Sequence, residues 1–108
     1  MKTEKVLLIE SVKATTALTK GRYARSTGAQ AGAGEQVLGV VDLDAAIGQQ
    51  ASIKTHGILL VESGAAVAAE ARLQSDATGR AITLAAGKDA GYALDAATAA
   101  GQPIRIKL

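Results

Sequence analysis

No cysteine, phenylalanine or tryptophan occurs in this sequence, and histidine and proline occur once each. The absence of cysteine excludes disulfides and cysteine-based metal sites, and fits an intracellular assembly compartment. Only Tyr23 and Tyr92 are aromatic. Two such rings cannot build a base-stacking platform. They also leave the core to Val, Ile, Leu and Ala, which bury less area per side chain than aromatics do. Partner surfaces are therefore expected to supply part of the stabilisation. Like-charged runs are missing as well: twelve basic and ten acidic residues give a net charge of +2. A nucleic-acid-binding chain needs a clustered basic face, which this is not. No stretch approaches the roughly 20 apolar residues of a membrane helix. The opening "MKTEKVLLIES" is charged, but its apolar run "VLLI" is too short for a signal peptide and ends at Glu10.

What the chain does have is alanine, at 24 positions, and glycine, at 12. Its 108 residues suit a single domain spanning 1–108. The segment Val6 to Ser11 reads "VLLIES", and Ile58 to Ser63 reads "ILLVES". Further on, "GVVDLDAAIGQQASIK" from Gly39 matches "GYALDAATAAGQPIRIK" from Gly91 after one insertion. These matches predict an internal repeat of residues 5–54 in residues 57–108. The repeat decides an ambiguous segment. "GAAVAAEARLQS" (Gly64 to Ser75) has helical composition, but its counterpart Val12 to Ser26 carries three Thr and Gly21. Two copies of one unit share a backbone path, and the Thr-rich copy favours strand and turn.

The resulting expectation is a mainly β chain, a small barrel or sandwich of two similar halves, each of about 50 residues. Strands are expected at Lys5 to Ser11 (buried on both faces), Arg22 to Arg25, Gln36 to Leu43, and Ile53 to Val61 with a break or bulge at Gly57. Ala71 to Gln74 and Arg80 to Leu84 form a hairpin around "SDATG", and Ala90 to Leu94 and Ile104 to Leu108 complete the set. "GAQAGAG" (Gly28 to Gly34) reads as a flexible loop. One or two helical turns are expected in "DAATAAG", capped by Asp95, with Asp44 as the same device in the first copy.

Converging polar groups are scarce. His56 is a lone imidazole with no cysteine to share a metal, which points to a structural or surface role. Asp42 and Asp44 alternate on a strand, yet hard cations want six or more oxygens in loop geometry. Glu10 and Glu62 close the copied strands and need no chemistry there. No serine sits in a nucleophile-elbow context, "GAGEQVLG" misplaces the third glycine of a dinucleotide fingerprint, and "AGKDAG" lacks phosphate-loop spacing. No catalytic, cofactor-binding or metal-ligating residue is assigned, and the chain is not expected to be an enzyme.

The second half carries a more specific pattern: Gly64 and Val67, then Ser75-Asp76, then Gly79-Arg80-Ala81. Gly91, Ala93-Leu94, Ala96-Ala97 and Gly101 follow, before the terminal "IRIKL". This resembles the capsid cement, or head decoration, proteins of tailed bacteriophages. One departure is Glu70, where that pattern has glycine. The resemblance implies a non-catalytic structural protein of the virion that binds the outside of an assembled head. Such proteins clamp the major capsid protein as trimers or dimers, are assembled in the bacterial host cytoplasm, and need no cofactor, nucleic acid or membrane. Contact residues are expected in the N-terminal segment (Met1, Lys2, Thr3, Glu4, Lys5) and in the glycine loop (Gly28, Gly32, Gly34), because free ends and glycine-rich tips order on binding. The competing reading is a lipoyl-like carrier module of two β halves, for which Lys88 in "GKDAG" is the modification candidate.

Overall fold

A computed structural model describes residues 3–108. Eight strands follow one another along the chain. They are β1 (Lys5–Lys13), β2 (Tyr23–Ala24), β3 (Gly39–Val41), β4 (Gln50–Glu62), β5 (Leu73–Ser75), β6 (Ala81–Thr83), β7 (Tyr92–Ala93) and β8 (Pro103–Lys107). Six of them form one curled, half-barrel sheet, and β5 and β6 form a separate two-stranded hairpin. The long strand β4 organises the sheet. Ile58 pairs with both Lys5 of β1 and Lys107 of β8, while Lys54 pairs with both Ile9 of β1 and Val40 of β3. A strand residue has one neighbour on each side, so β3 and β8 lie end to end along one edge of β4 and β1 lines the other.

The predicted strands are all found, several of them shorter, and the hairpin closes around Asp76 as the turn residues require. One Asp76 carboxylate oxygen accepts from the Thr78 and Arg80 N–H groups at 2.9 Å. Gly57 has φ 118 and lies beside two register shifts in the β1–β4 ladder, which is the expected bulge. The helical turns expected at Asp95 and Asp44 are absent: no helix occurs among the described residues. The reason is competition for backbone groups. Ala97 and Val67 exchange N–H···O bonds of 2.8 and 2.9 Å, and Ala45 and Leu18 exchange bonds of 3.0 and 2.8 Å. A helix would need those same donors and acceptors for itself. Asp95 instead grips Arg105 through its N–H and guanidinium, and Asp44 accepts from the Lys20 N–H at 2.7 Å.

Several backbone bonds recur in step along the chain. Ala14 N–H donates to Gln49 and Ser63 N–H to Gln102; Gly21 N–H donates to Val41 and Glu70 N–H to Ala93. The Gln49 and Gln102 side chains likewise cap the N–H groups of Ala46 and Thr98. On this register Val12 corresponds to Val61, each pairing with an inward residue of the next strand, Ala51 or Ile104. Leu59 then corresponds to Glu10. The pentapeptides "LLIES" and "LLVES" are thus three residues out of step with the hydrogen bonds.

Two clusters of buried apolar residues form the core. One gathers Ala14, Leu18, Val41, Ala45, Ala51 and Ile53. The larger holds Tyr23, Leu59, Val61, Val67, Leu73, Ala93, Ala97, Ile104 and Ile106. Tyr23 is fully buried, and its hydroxyl donates to the Ala90 carbonyl at 2.9 Å, so its ring supplies area without an unsatisfied polar group.

Candidate functional site

The expectation that β1 is buried on both faces is wrong. Leu7 is 80% exposed, Leu8 49% and Ile9 51%, and only Val6 and Val12 pack partly against the clusters. An apolar run reports that a strand avoids water, and it carries no information on which element supplies the cover. Among the described residues β4 is β1's sole strand neighbour, and only Val6 and Val12 gain partial cover from the clusters. The neighbouring charges Lys5, Glu10 and Lys13 were the available signal that this run borders solvent. Leu43 and Ile47, in the connection between β3 and β4, are the other large exposed apolar residues among those described.

The N-terminal candidates divide. Met1 and Lys2 lie outside the described residues, and Thr3 and Lys5 are exposed. Glu4 folds back into a cleft of about 340 Å³ lined by Lys20, Lys54, Leu60, Glu62 and Pro103 among others. There its carboxylate pairs with the Lys54 ammonium and accepts the Leu60 N–H at 2.7 Å. The Lys54 side chain is 3% exposed, so this contact compensates a buried charge. Burial pushes the Glu4 carboxyl up. The Lys54 hydrogen bond, the Leu60 N–H and the charges of Lys54 and Lys20 outweigh it and hold the group below its ordinary value. At the cleft's edge Glu62 meets Arg22 at 3.6 Å and Arg80 at 3.3 Å. These pairs brace the fold; sequence reading gave Lys54 no role, because a lysine in an apolar strand looks like any surface lysine until its partner is known.

The glycine loop is held more firmly than its composition suggests. Gly28 is buried against the Lys13 carbonyl, its own carbonyl accepting the Thr15 N–H at 2.9 Å. Gly32 donates to the Glu35 carboxylate. Gly34 donates to the Ser75 carbonyl and accepts from Lys88, and a Cβ on it would approach Gly87 Cα to 2.9 Å. The loop is a clasp between β1, the hairpin and the turn holding Lys88. The N-terminal segment and this loop approach β1 from opposite ends, with Glu4 beside β4 and Gly28 beside Lys13.

The remaining polar candidates do not converge. His56 is exposed on β4, Asp42 and Asp44 lie beyond the end of β3, and Glu10 lies within β1 and not at its end. Among the described residues no three His, Cys, Asp or Glu side chains cluster as metal ligands would. The Glu70 departure is resolved by geometry: Glu70 has φ 67, the left-handed conformation a glycine would supply, and keeps the turn. Its hydrogen-bond counterpart Gly21 has φ 83.

No curated protein matches the sequence at a significant level. The fold is shared with the N base of the head fiber gp8.5 of bacteriophage phi29, at a TM-score of 0.72 and 17% identity over 94% of this chain and 92% of that one. The family model described as phage cement protein matches residues 2–108. That match runs nearly from end to end, and the chain belongs to the phage cement protein family.

Proposed function

We propose that this chain, by family a structural and non-catalytic component of the phage head, binds the outer surface of an assembled shell by contacting the major capsid protein. It does so as a homo-oligomer, a dimer or a trimer, after assembly in the bacterial host cytoplasm. Stabilisation follows from mass action: a protein that binds the assembled shell, and not its dissociated subunits, shifts the equilibrium towards the shell. Many weak contacts placed by the shell's symmetry supply avidity that no single contact has. The observation that carries the reading is the family match across residues 2–108. The uncovered apolar surface on β1 supports its homo-oligomeric part, since exposed patches of this kind mark interaction sites. Exposed Thr3 and Lys5 remain candidates for shell contact, as does the rim of the Gly28–Gly34 loop.

We also propose that residues 5–54 and 57–108 descend from one repeated unit within a single domain. The recurring hydrogen bonds of Ala14/Ser63, Leu18/Val67 and Gly21/Glu70 support this more directly than the pentapeptides do. The head-binding reading is tested by sedimenting the purified protein with expanded and unexpanded heads. Co-sedimentation with the expanded form, saturable and retained on dilution, is expected; recovery of all the protein in the supernatant with both forms refutes it.

A further inference from the structure

β1 has an edge that the described residues leave open over part of its length. The Ser52 carbonyl accepts the Asp42 N–H on the β3 side of β4. Ser11 pairs with Ser52 across the antiparallel ladder, so its own N–H and C=O turn away from β4. Ile9, two residues earlier and in the same register, turns its backbone groups outward too. Beyond Ser11 the edge is closed, since Gly28 lies against the Lys13 carbonyl. From Ser11 back towards Lys5 no strand among the described residues covers it.

The same chain shows what closure of such an edge looks like. Residues 58–62 of β4 are the hydrogen-bond counterparts of Ile9 to Lys13. Their free edge is closed internally, by the Glu4 carboxylate on the Leu60 N–H and the Gly21 carbonyl on the Glu62 N–H. Ser11 stands where Leu60 stands and has no such cover. The uncovered stretch is also where Leu7, Leu8 and Ile9 meet solvent. We propose that β1 is the contact through which two copies of this chain associate, edge to edge and antiparallel, so that Leu7, Leu8 and Ile9 are flanked on the sheet faces by the apolar residues of the partner strand. The proposal rests on the homo-oligomeric part of the reading above and names its surface.

A second copy fits this edge for three reasons. Antiparallel pairing of one strand with itself closes under a two-fold axis, so the same residues complete both edges at once and no open end is left to propagate. The strand carries Lys5 and Lys13 with Glu10 between them, so no single-sign field repels its copy. The three side chains expose on the order of 300 Å² of apolar surface, enough to mark a contact. That is below the roughly 800 Å² per partner of a standard interface. The dimer is therefore concentration-dependent, which suits a protein concentrated on a shell.

Sedimentation velocity from about 1 to about 100 μM, the range in which weak interfaces dissociate, tests this. The wild-type mass is expected to double across the range. Leu7→Lys/Ile9→Lys replaces side chains already in water, so it is expected to fold with an unchanged far-ultraviolet circular dichroism spectrum and remain a monomer. Leu43→Lys/Ile47→Lys, at the other exposed apolar residues, should dimerise as the wild type does. A wild type that stays monomeric, a trimer, or a β1 variant that dimerises normally overturns the proposal. Co-sedimentation with heads separates the two readings. A wild type that dimerises through β1 but ignores heads refutes the cement role and leaves the β1 contact standing. A wild-type monomer that loses head binding on β1 substitution assigns the strand to the shell and overturns it.

Discussion

Glu70 offers the sharpest test of the backbone argument. It is the sole non-glycine residue with positive φ among those described, at φ 67, and it stands where the hydrogen-bond register places Gly21. An L-residue in the left-handed region costs roughly 1–2 kcal/mol through contact of Cβ with the following carbonyl. Replacing it by glycine removes that cost but returns roughly 0.4–1 kcal/mol to the unfolded chain as added freedom. The exposed side chain adds little on either side of the balance. Glu70→Gly should therefore stabilise the protein by about 0.5–1 kcal/mol. For a chain of this size that raises the thermal midpoint by a few degrees, at about 4–8 °C per kcal/mol. Glu70→Ala is the control, since it removes the carboxylate and keeps the Cβ. Gly21→Ala is the reciprocal, at φ 83 with open space around the added atom, so any loss there is purely conformational. Scanning calorimetry of the three variants decides the matter. A midpoint that falls or stays level in Glu70→Gly, or rises equally in Glu70→Ala, refutes the reasoning.

Stability should also fall in acid. Glu4 and Asp76 are both held below their ordinary values in the fold, since hydrogen bonds and positive neighbours outweigh burial, and Asp76 owes this to Arg80 and Thr78. Their contribution is present above the unfolded-state values near 4.5 and 3.8 and disappears as pH drops through the lower folded ones; urea titrations at pH 6 and pH 3 measure it, and an unchanged midpoint contradicts it. Glu4→Gln strands the Lys54 ammonium and should cost about 1–3 kcal/mol, less than full burial of the pair would imply because Glu4 is 27% exposed. Restoration by Glu4→Gln/Lys54→Met in chemical denaturation would identify the stranded charge as the cause. Leu59→Ala, in the core, should cost about 2–5 kcal/mol. Leu7→Ala, at the twin position in the pentapeptide, should stay within about 0.5 kcal/mol in dilute solution; equal losses would mean β1 is covered within the monomer.

The strands, the Asp76 turn and the Gly57 bulge were legible in the sequence because each is a local consequence of residue type: β-branched runs, an Asp followed by Gly, a glycine inside a strand. So was the absence of a helix in Gly64 to Ser75, where Thr and Gly in the presumed counterpart argued against it. The helical turns at Asp44 and Asp95 were misread because propensity could not see that Leu18 and Val67 compete for the same backbone groups. The loop from Gly28 to Gly34 looked free because its partners, Lys13, Ser75 and Lys88, lie far off in the chain.

"LLIES" and "LLVES" measure the difference best. Sequence alone determined that both are strands, since burial preference and β propensity are properties of the residues themselves. The tertiary structure decided that Leu59 is buried and Leu7 is 80% exposed. Cover comes from other elements: β8 and the apolar cluster reach β4, while β1 has β4 on one edge and, among the described residues, no strand on the other.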